Sequence, residues 1–372
     1  MPLHDVGYRA WKGTRRPPGS AAFVIATTGI ALSWKSRWLR RAVLFAWSPA
    51  LAFAMSFFAF EQAVEEGRLS MLEVTAQSGR NLDGVGVLGG LLVNALGRPT
   101  DGEPAYLPGS VEEIEQTRRT VWSRLLLAFM RAPQAVLLAV VIGLVAPTLI
   151  SRDMRAKAWL VYFTRPVSRR DYILGKGAVL AGVVAMVTLL PALGLWFVGV
   201  LVSPSVNVAW ATADLPLKVL ISSLAVAIPT VLLALAYSAI TTETRIAGFA
   251  WFATWVACWI THSALGAAEL MADRPSPEAQ SFFGEPFDGP GEDDRHDRSR
   301  PMHWLGRAAG LDSSIDHWAW VSPYHSIGVV QAAIFGMEKR PQAFLPPLIS
   351  LASISAVSLV LLLRRVDAPL RS

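Results

Sequence analysis

The residues best able to do chemistry are few and badly supported. In "EDDRHDRSRPMH", Asp293, Asp294, His296, Asp297 and His303 offer donor types that zinc accepts. Arg295, Arg298 and Arg300 stand between them, and the polar run that holds them has nothing to fix a ligand in place. A solvated charged loop is expected there, and no metal site. "GVGVLG", residues 84–89, spells the dinucleotide motif, but it follows "SGRNLD" and opens no strand-helix-strand unit, so it is set aside. The sequence contains no P-loop, no H-E-x-x-H and no G-x-S-x-G. No catalytic residue, metal or cofactor of its own is expected in the chain, and any energy it uses must come from a partner. Cys258 is the only cysteine, which rules out a disulfide within the chain.

The elements around these residues are apolar. Of 372 residues, 53% are hydrophobic and 17% charged, against about 25% charged in a soluble domain. The apolar residues come in blocks near the ~20 residues that cross about 30 Å of hydrocarbon. Six blocks (42–60, 132–150, 177–202, 219–240, 246–267 and 343–363) contain no Asp, Glu, Lys or Arg. The expectation is an all-α polytopic membrane protein with six transmembrane helices. The first block starts too far along the chain and runs too long for a cleaved signal peptide. His262, in the outer third of the fifth block, is open to two readings, a functional group or a neutral histidine bonded to a neighbouring helix. Prolines fall within blocks at Pro49, Pro191, Pro229, Pro346 and Pro347, where packing is the simpler explanation.

Charge sets the expected orientation. With both termini cytoplasmic, segments 1–41, 151–176, 241–245 and 364–372 carry 19 Lys and Arg against 5 Asp and Glu, and the rest carries 15 against 23. That asymmetry reads as positive-inside topology and not as nucleic-acid binding, since no aromatic-basic groove pattern accompanies it. The domain reading is a cytoplasmic N-terminus with interfacial helix (1–41), a membrane domain (42–363) and a cytoplasmic tail (364–372). Residues 61–131 and 268–342 are expected outside.

Within 21–41, Phe23, Thr27, Ile30, Trp34 and Trp38 form one helical stripe with Lys35, Arg37, Arg40 and Arg41 off it. This is either an interfacial helix or a plain basic flank to the first span. Ser110 and Glu113 form a capping box opening a helix that runs on into the second span. Ile327, Val330 and Ile334 share a face of a short amphipathic helix at the outer leaflet or the top of the bundle.

Between the second and third spans lies "SRDMRAKAWLVYFTRPVSRRDYILGK", residues 151–176. Helix formers continue from Asp153 to Phe163 and carry the exposed set Trp159, Leu160, Tyr162 and Phe163; Pro166 then turns the chain by disfavouring helix at Arg165. An apolar surface ringed by Arg155, Arg165, Arg169, Arg170 and Lys176 suits either protein docking or a headgroup layer with anionic lipid.

"RPVSRRDYILGK" resembles the signature that follows the second span in permease subunits of type-2 ABC exporters, and "DMRAKAWLVYF" takes the place of the helix before it. The layout of most of the chain agrees, and the match is specific over 153–176. The resemblance implies an exporter permease without activity of its own. It would be driven by a separate P-loop ATPase subunit holding ATP and Mg, paired with a second permease chain as a homodimer, and sited in the inner membrane. On that reading Asp153, Arg155, Trp159, Leu160, Phe163, Arg165, Pro166, Arg169, Arg170 and Lys176 dock the ATPase. The alternatives are a membrane enzyme or maturation factor using the outer His and Asp cluster, and a membrane scaffold that transports nothing.

Overall fold

The computed structural model describes residues 20–66, 111–158, 167–205, 207–272, 318–337 and 344–367. The Asp293–His303 cluster, the glycine motif at 84–89 and Ser110 lie outside them, as do Trp159, Leu160, Phe163, Arg165 and Pro166. Among the described residues the fold is all helical. The helices are α1 (Ser20–Trp34), α2 (Arg37–Glu65), α3 (Val111–Leu149), α4 (Ser151–Arg155), α5 (Arg169–Val187), α6 (Leu189–Val202), α7 (Asn207–Ala211), α8 (Asp214–Ile240), α9 (Thr244–Ala272), α10 (Pro323–Ile334) and α11 (Leu345–Asp367).

Five stretches are long and apolar enough to cross a membrane: Arg37–Glu65, Val136–Arg155, Arg169–Val202, Asp214–Ile240 and Leu345–Val366. They overlap five of the six expected blocks, the second and the last stretch each starting a few residues later than expected. The remaining block, 246–267, lies inside α9, which at 29 residues is long enough but mixes Trp251, Thr254, Trp255, Trp259, Thr261 and His262 into its apolar residues. α3 does run unbroken into the second span. Its 39 residues make a rod of about 58 Å at 1.5 Å per residue, roughly twice the hydrocarbon thickness.

Two apolar clusters stack along the bundle. One joins Leu39 and Val43 of α2, Ile142 and Ile150, Tyr172 and Leu180 of α5, Leu235 of α8 and Trp251 of α9. The other joins Phe53 and Phe57 of α2, Trp122 and Phe129 of α3, Leu195 of α6 and Leu215 of α8. Edge-to-face pairs, Phe53 with Phe129 and Phe57 with Trp122, both at 5.4 Å, order the second cluster. Lipid is as apolar as these side chains, so close packing and polar contacts, not hydrophobic burial, hold the helices together. Gly199 is one such close approach: a Cβ there would lie 2.9 Å from both the Phe57 and Trp122 rings.

The prolines are accommodated one by one. Pro49 removes the donor that Phe45 O would have received, and the Ser48 hydroxyl donates to that oxygen at 2.7 Å instead. Pro191 follows a break at Thr188, which separates α5 from α6. Pro346 and Pro347 fall in the first turn of α11, where free N–H groups make proline harmless.

Two helices expected near the surface pack against the bundle. α1 stops at Trp34 because Ser36 caps α2, its hydroxyl accepting from Leu39 N, so Trp38 belongs to α2. Of the expected stripe only Ile30 packs on protein; Phe23, Thr27 and Trp34 are exposed. The packed face is Ile25, Gly29 and Ile30, set against Gly175, Val179 and Gly182 of α5 in the same chain direction. α10 forms where expected, with Ile327 and Val330 buried. Its other side is buried too, at Ser326, Gly328 and Gln331, so it lies within the bundle.

At the end where α2 finishes, Glu61 is 1% exposed and accepts from three donors: Arg118 Nε, shared between its two oxygens at 3.0 and 3.2 Å, Trp122 Nε1 at 3.0 Å and Ser203 Oγ at 3.2 Å. This clasp ties α2, α3 and the end of α6. Beside it Arg119 donates to Ala211 O at 2.8 Å and pairs with Asp214 at 3.0 Å.

Candidate functional site

The opposite end of the bundle carries α4, the turn 156–158 and the start of α5. α3 breaks at Ile150, and Ser238 of α8 fills the gap. Its hydroxyl accepts from Ile150 N and Ser151 N, both at 3.1 Å, while Ser151 Oγ donates to Ser238 O at 2.8 Å. All of these groups are buried, so the break has one geometry.

α4 is shorter than the helix expected from Asp153 to Phe163. It ends at Arg155 in a Schellman motif, with Ala158 N donating to Asp153 O at 3.0 Å and Lys157 N to Met154 O at 3.1 Å. Lys157 takes the left-handed position with φ 50°, which usually belongs to glycine. A side chain there costs about 1–2 kcal/mol, partly offset by the backbone entropy glycine would lose. Lys157→Gly is therefore expected to raise stability by about 0.5–1 kcal/mol, read as a higher thermal midpoint of the purified chain. A lower midpoint would contradict the assignment.

The charged residues divide into two groups. Asp153 accepts from Tyr172 Oη at 2.9 Å and pairs with Lys176 at 2.7 Å, with both members of the ion pair below 20% exposed. The Lys176 ammonium also lies 5.6 Å from the centre of the Tyr172 ring. Asp153 and Lys176 are thus used up in joining α4 to α5. Arg155 instead reaches Glu243, ahead of α9, at 2.6 Å, with both side chains more than half exposed. Arg169 and Arg170 are exposed in the first turn of α5. Ser168 caps that turn: its hydroxyl accepts from Asp171 N at 3.1 Å while Ser168 N donates to the Asp171 carboxylate at 3.2 Å.

Segment 151–158 therefore touches three neighbours at once: α8 through Ser238, α5 through Asp153, and the turn before α9 through Arg155. The sequence reading placed Asp153, Arg155, Arg169, Arg170 and Lys176 here but missed Ser151, Tyr172, Ser238 and Glu243. Ser168 and Asp171 had a local signature, since S-x-x-D at a helix start is a capping box. Ser238 and Glu243 had none, because their partners are 87 and 88 residues away.

The profile of the ABC-2 family transporter proteins matches residues 22–365, nearly the whole chain. The chain belongs to that family. No curated protein matches it. This ABC-2 transporter chain is accordingly a multi-pass membrane protein and a membrane component of a transporter. Its helix-break-helix segment lies where the signature "RPVSRRDYILGK" begins α5.

Proposed function

We propose that the chain is the permease subunit of an ABC exporter, with six spans and both termini in the cytoplasm of the inner membrane. A separate P-loop ATPase would hold ATP and Mg, and a second permease chain would complete the pair. The observation that carries this reading is the three-way anchoring of 151–158. A short helix tied at once to α5, α8 and the start of α9 is a mechanical input, since displacing it moves three long helices. Exposed Arg169 and Arg170 and the apolar Trp159, Leu160 and Phe163 would form the surface that meets the ATPase.

The test is purification from native membranes through a tag on this chain. A P-loop ATPase is expected to copurify, the complex to hydrolyse ATP, and the chain stripped of its partner to hydrolyse none. Robust hydrolysis by the stripped chain would overturn the division of labour, and so would the absence of any ATPase from the complex.

A further inference from the structure

The extended backbone of Ser36 (φ −68°, ψ 121°) separates α1 from α2, so the two helices leave a corner at Lys35 and Ser36 in different directions. Met186 of α5 lies between them. α2 reaches it through Trp47, whose Nε1 donates to Met186 O at 2.9 Å, and α1 reaches it through Trp34. The space left is an open groove of about 380 Å³, lined by Thr27, Ile30, Ala31, Trp34 and Met186. Its walls are hydrocarbon in character, since the Thr27 hydroxyl has given its hydrogen to Phe23 O at 2.9 Å.

The corner beside the groove has the opposite character. Lys35, Arg37, Arg40 and Arg41 fall within seven residues, and all four are exposed. Residues 20–60 contain no Asp or Glu, and among the described residues none of the four forms an ion pair. Arg41 lies 5.9 Å from the centre of the Trp38 ring, a contact that places the guanidinium without neutralising it. An apolar groove thus ends at a cluster of uncompensated cations, flanked by the exposed indoles of Trp34 and Trp38, the side chains that settle at headgroup level.

We propose that groove and corner together bind one phospholipid of net negative charge, with an acyl chain along α1 over Met186 and the phosphate held by Lys35 and Arg37. Guanidinium groups match phosphate oxygens two at a time, and Arg40 and Arg41 add to the attraction. A zwitterionic phospholipid carries a cation of its own to the same corner and gains less. A second copy of the chain, docked symmetrically on this face, would set the four cations against themselves. The site needs neither an ATPase nor a second permease chain, so it stands or falls apart from the permease reading.

The test uses the purified full chain in nanodiscs of equimolar phosphatidylglycerol and phosphatidylcholine with identical acyl chains, released into a mass spectrometer that resolves retained lipid. One phosphatidylglycerol per chain is expected to survive. Each cation near an anionic headgroup contributes a preference of roughly fivefold, so Arg37→Gln combined with Arg40→Gln is expected to cut the preference about 25-fold. Ala31→Trp fills the groove from an exposed position and leaves every charge in place; it is expected to lose the retained lipid with an unchanged helical spectrum and thermal midpoint. Equal retention of the two lipids by the wild-type chain would overturn the proposal, and so would a lipid-free dimer. Wild-type retention by Ala31→Trp would reduce the effect to attraction between a charged surface and the bilayer and would equally end the assignment of a site.

Discussion

Glu61→Ala is expected to be the most destabilising single substitution at the end of the bundle where α2 finishes. The change removes the carboxylate paired with Arg118 in the clasp and strands a guanidinium that is 7% exposed. It also leaves Trp122 Nε1 and Ser203 Oγ without their acceptor. Breaking a buried pair from one side costs about 3–5 kcal/mol, whereas replacing both members by apolar residues of like volume is close to neutral. Thermal unfolding of the purified chain should therefore show a large loss for Glu61→Ala and a smaller one for Glu61→Met combined with Arg118→Met. Equal losses in the two variants would show that the ion pair itself, and not the uncompensated charge, dominates.

The second large effect is expected in coupling. Asp153→Ala removes the acceptor of Tyr172 and the partner of Lys176 in a half-buried setting, where an orphaned donor costs about 1–3 kcal/mol. Arg155→Ala breaks an ion pair more than half exposed on both sides, a class worth about 0–1 kcal/mol. If α4 delivers force from an ATPase, Asp153→Ala should cut transport-coupled ATP hydrolysis by the complex severely, with the chain still inserted and the ATPase still bound. Arg155→Ala should cut it little. Transport and hydrolysis by the complex, at matched membrane levels, decide the ranking. An Arg155→Ala variant as impaired as Asp153→Ala would move the weight of the contact from α5 to the turn before α9.

Much of this architecture was legible from composition. Long charge-free blocks and basic flanks are a one-dimensional code, so five of the six blocks reappear as membrane-length helices, and α3 continues as one rod as its sequence implied. The block 246–267 is blurred by Trp251, Trp255 and Trp259, which carry apolar rings and a polar N–H in one side chain. Helix faces were harder. The stripe Phe23–Thr27–Ile30–Trp34 pointed to an interfacial helix or a basic flank and said nothing of which face of α1 meets protein. The contact actually made uses Gly29 opposite Val179 and Ile25 opposite Gly175, because in an apolar solvent close approach outranks hydrophobicity. In the site, the residues whose partners lie within four positions could be read, as Ser168 and Asp171 show. Ser238 and Glu243 belong to it only through folding, and Trp159 to Pro166 lie outside the described residues.

The break at Thr188 lies at the border between the two apolar clusters: Val187 belongs to the first and Ala192 to the second. α5 and α6 there form a span interrupted in its middle, with Pro191 unable to restore the missing rung. A rod is weakest where its internal ties are fewest, so bending stress along this span gathers at Thr188 and spares the packed lengths on either side. The bundle thus has a waist: two stiff blocks of side chains joined through a compliant collar.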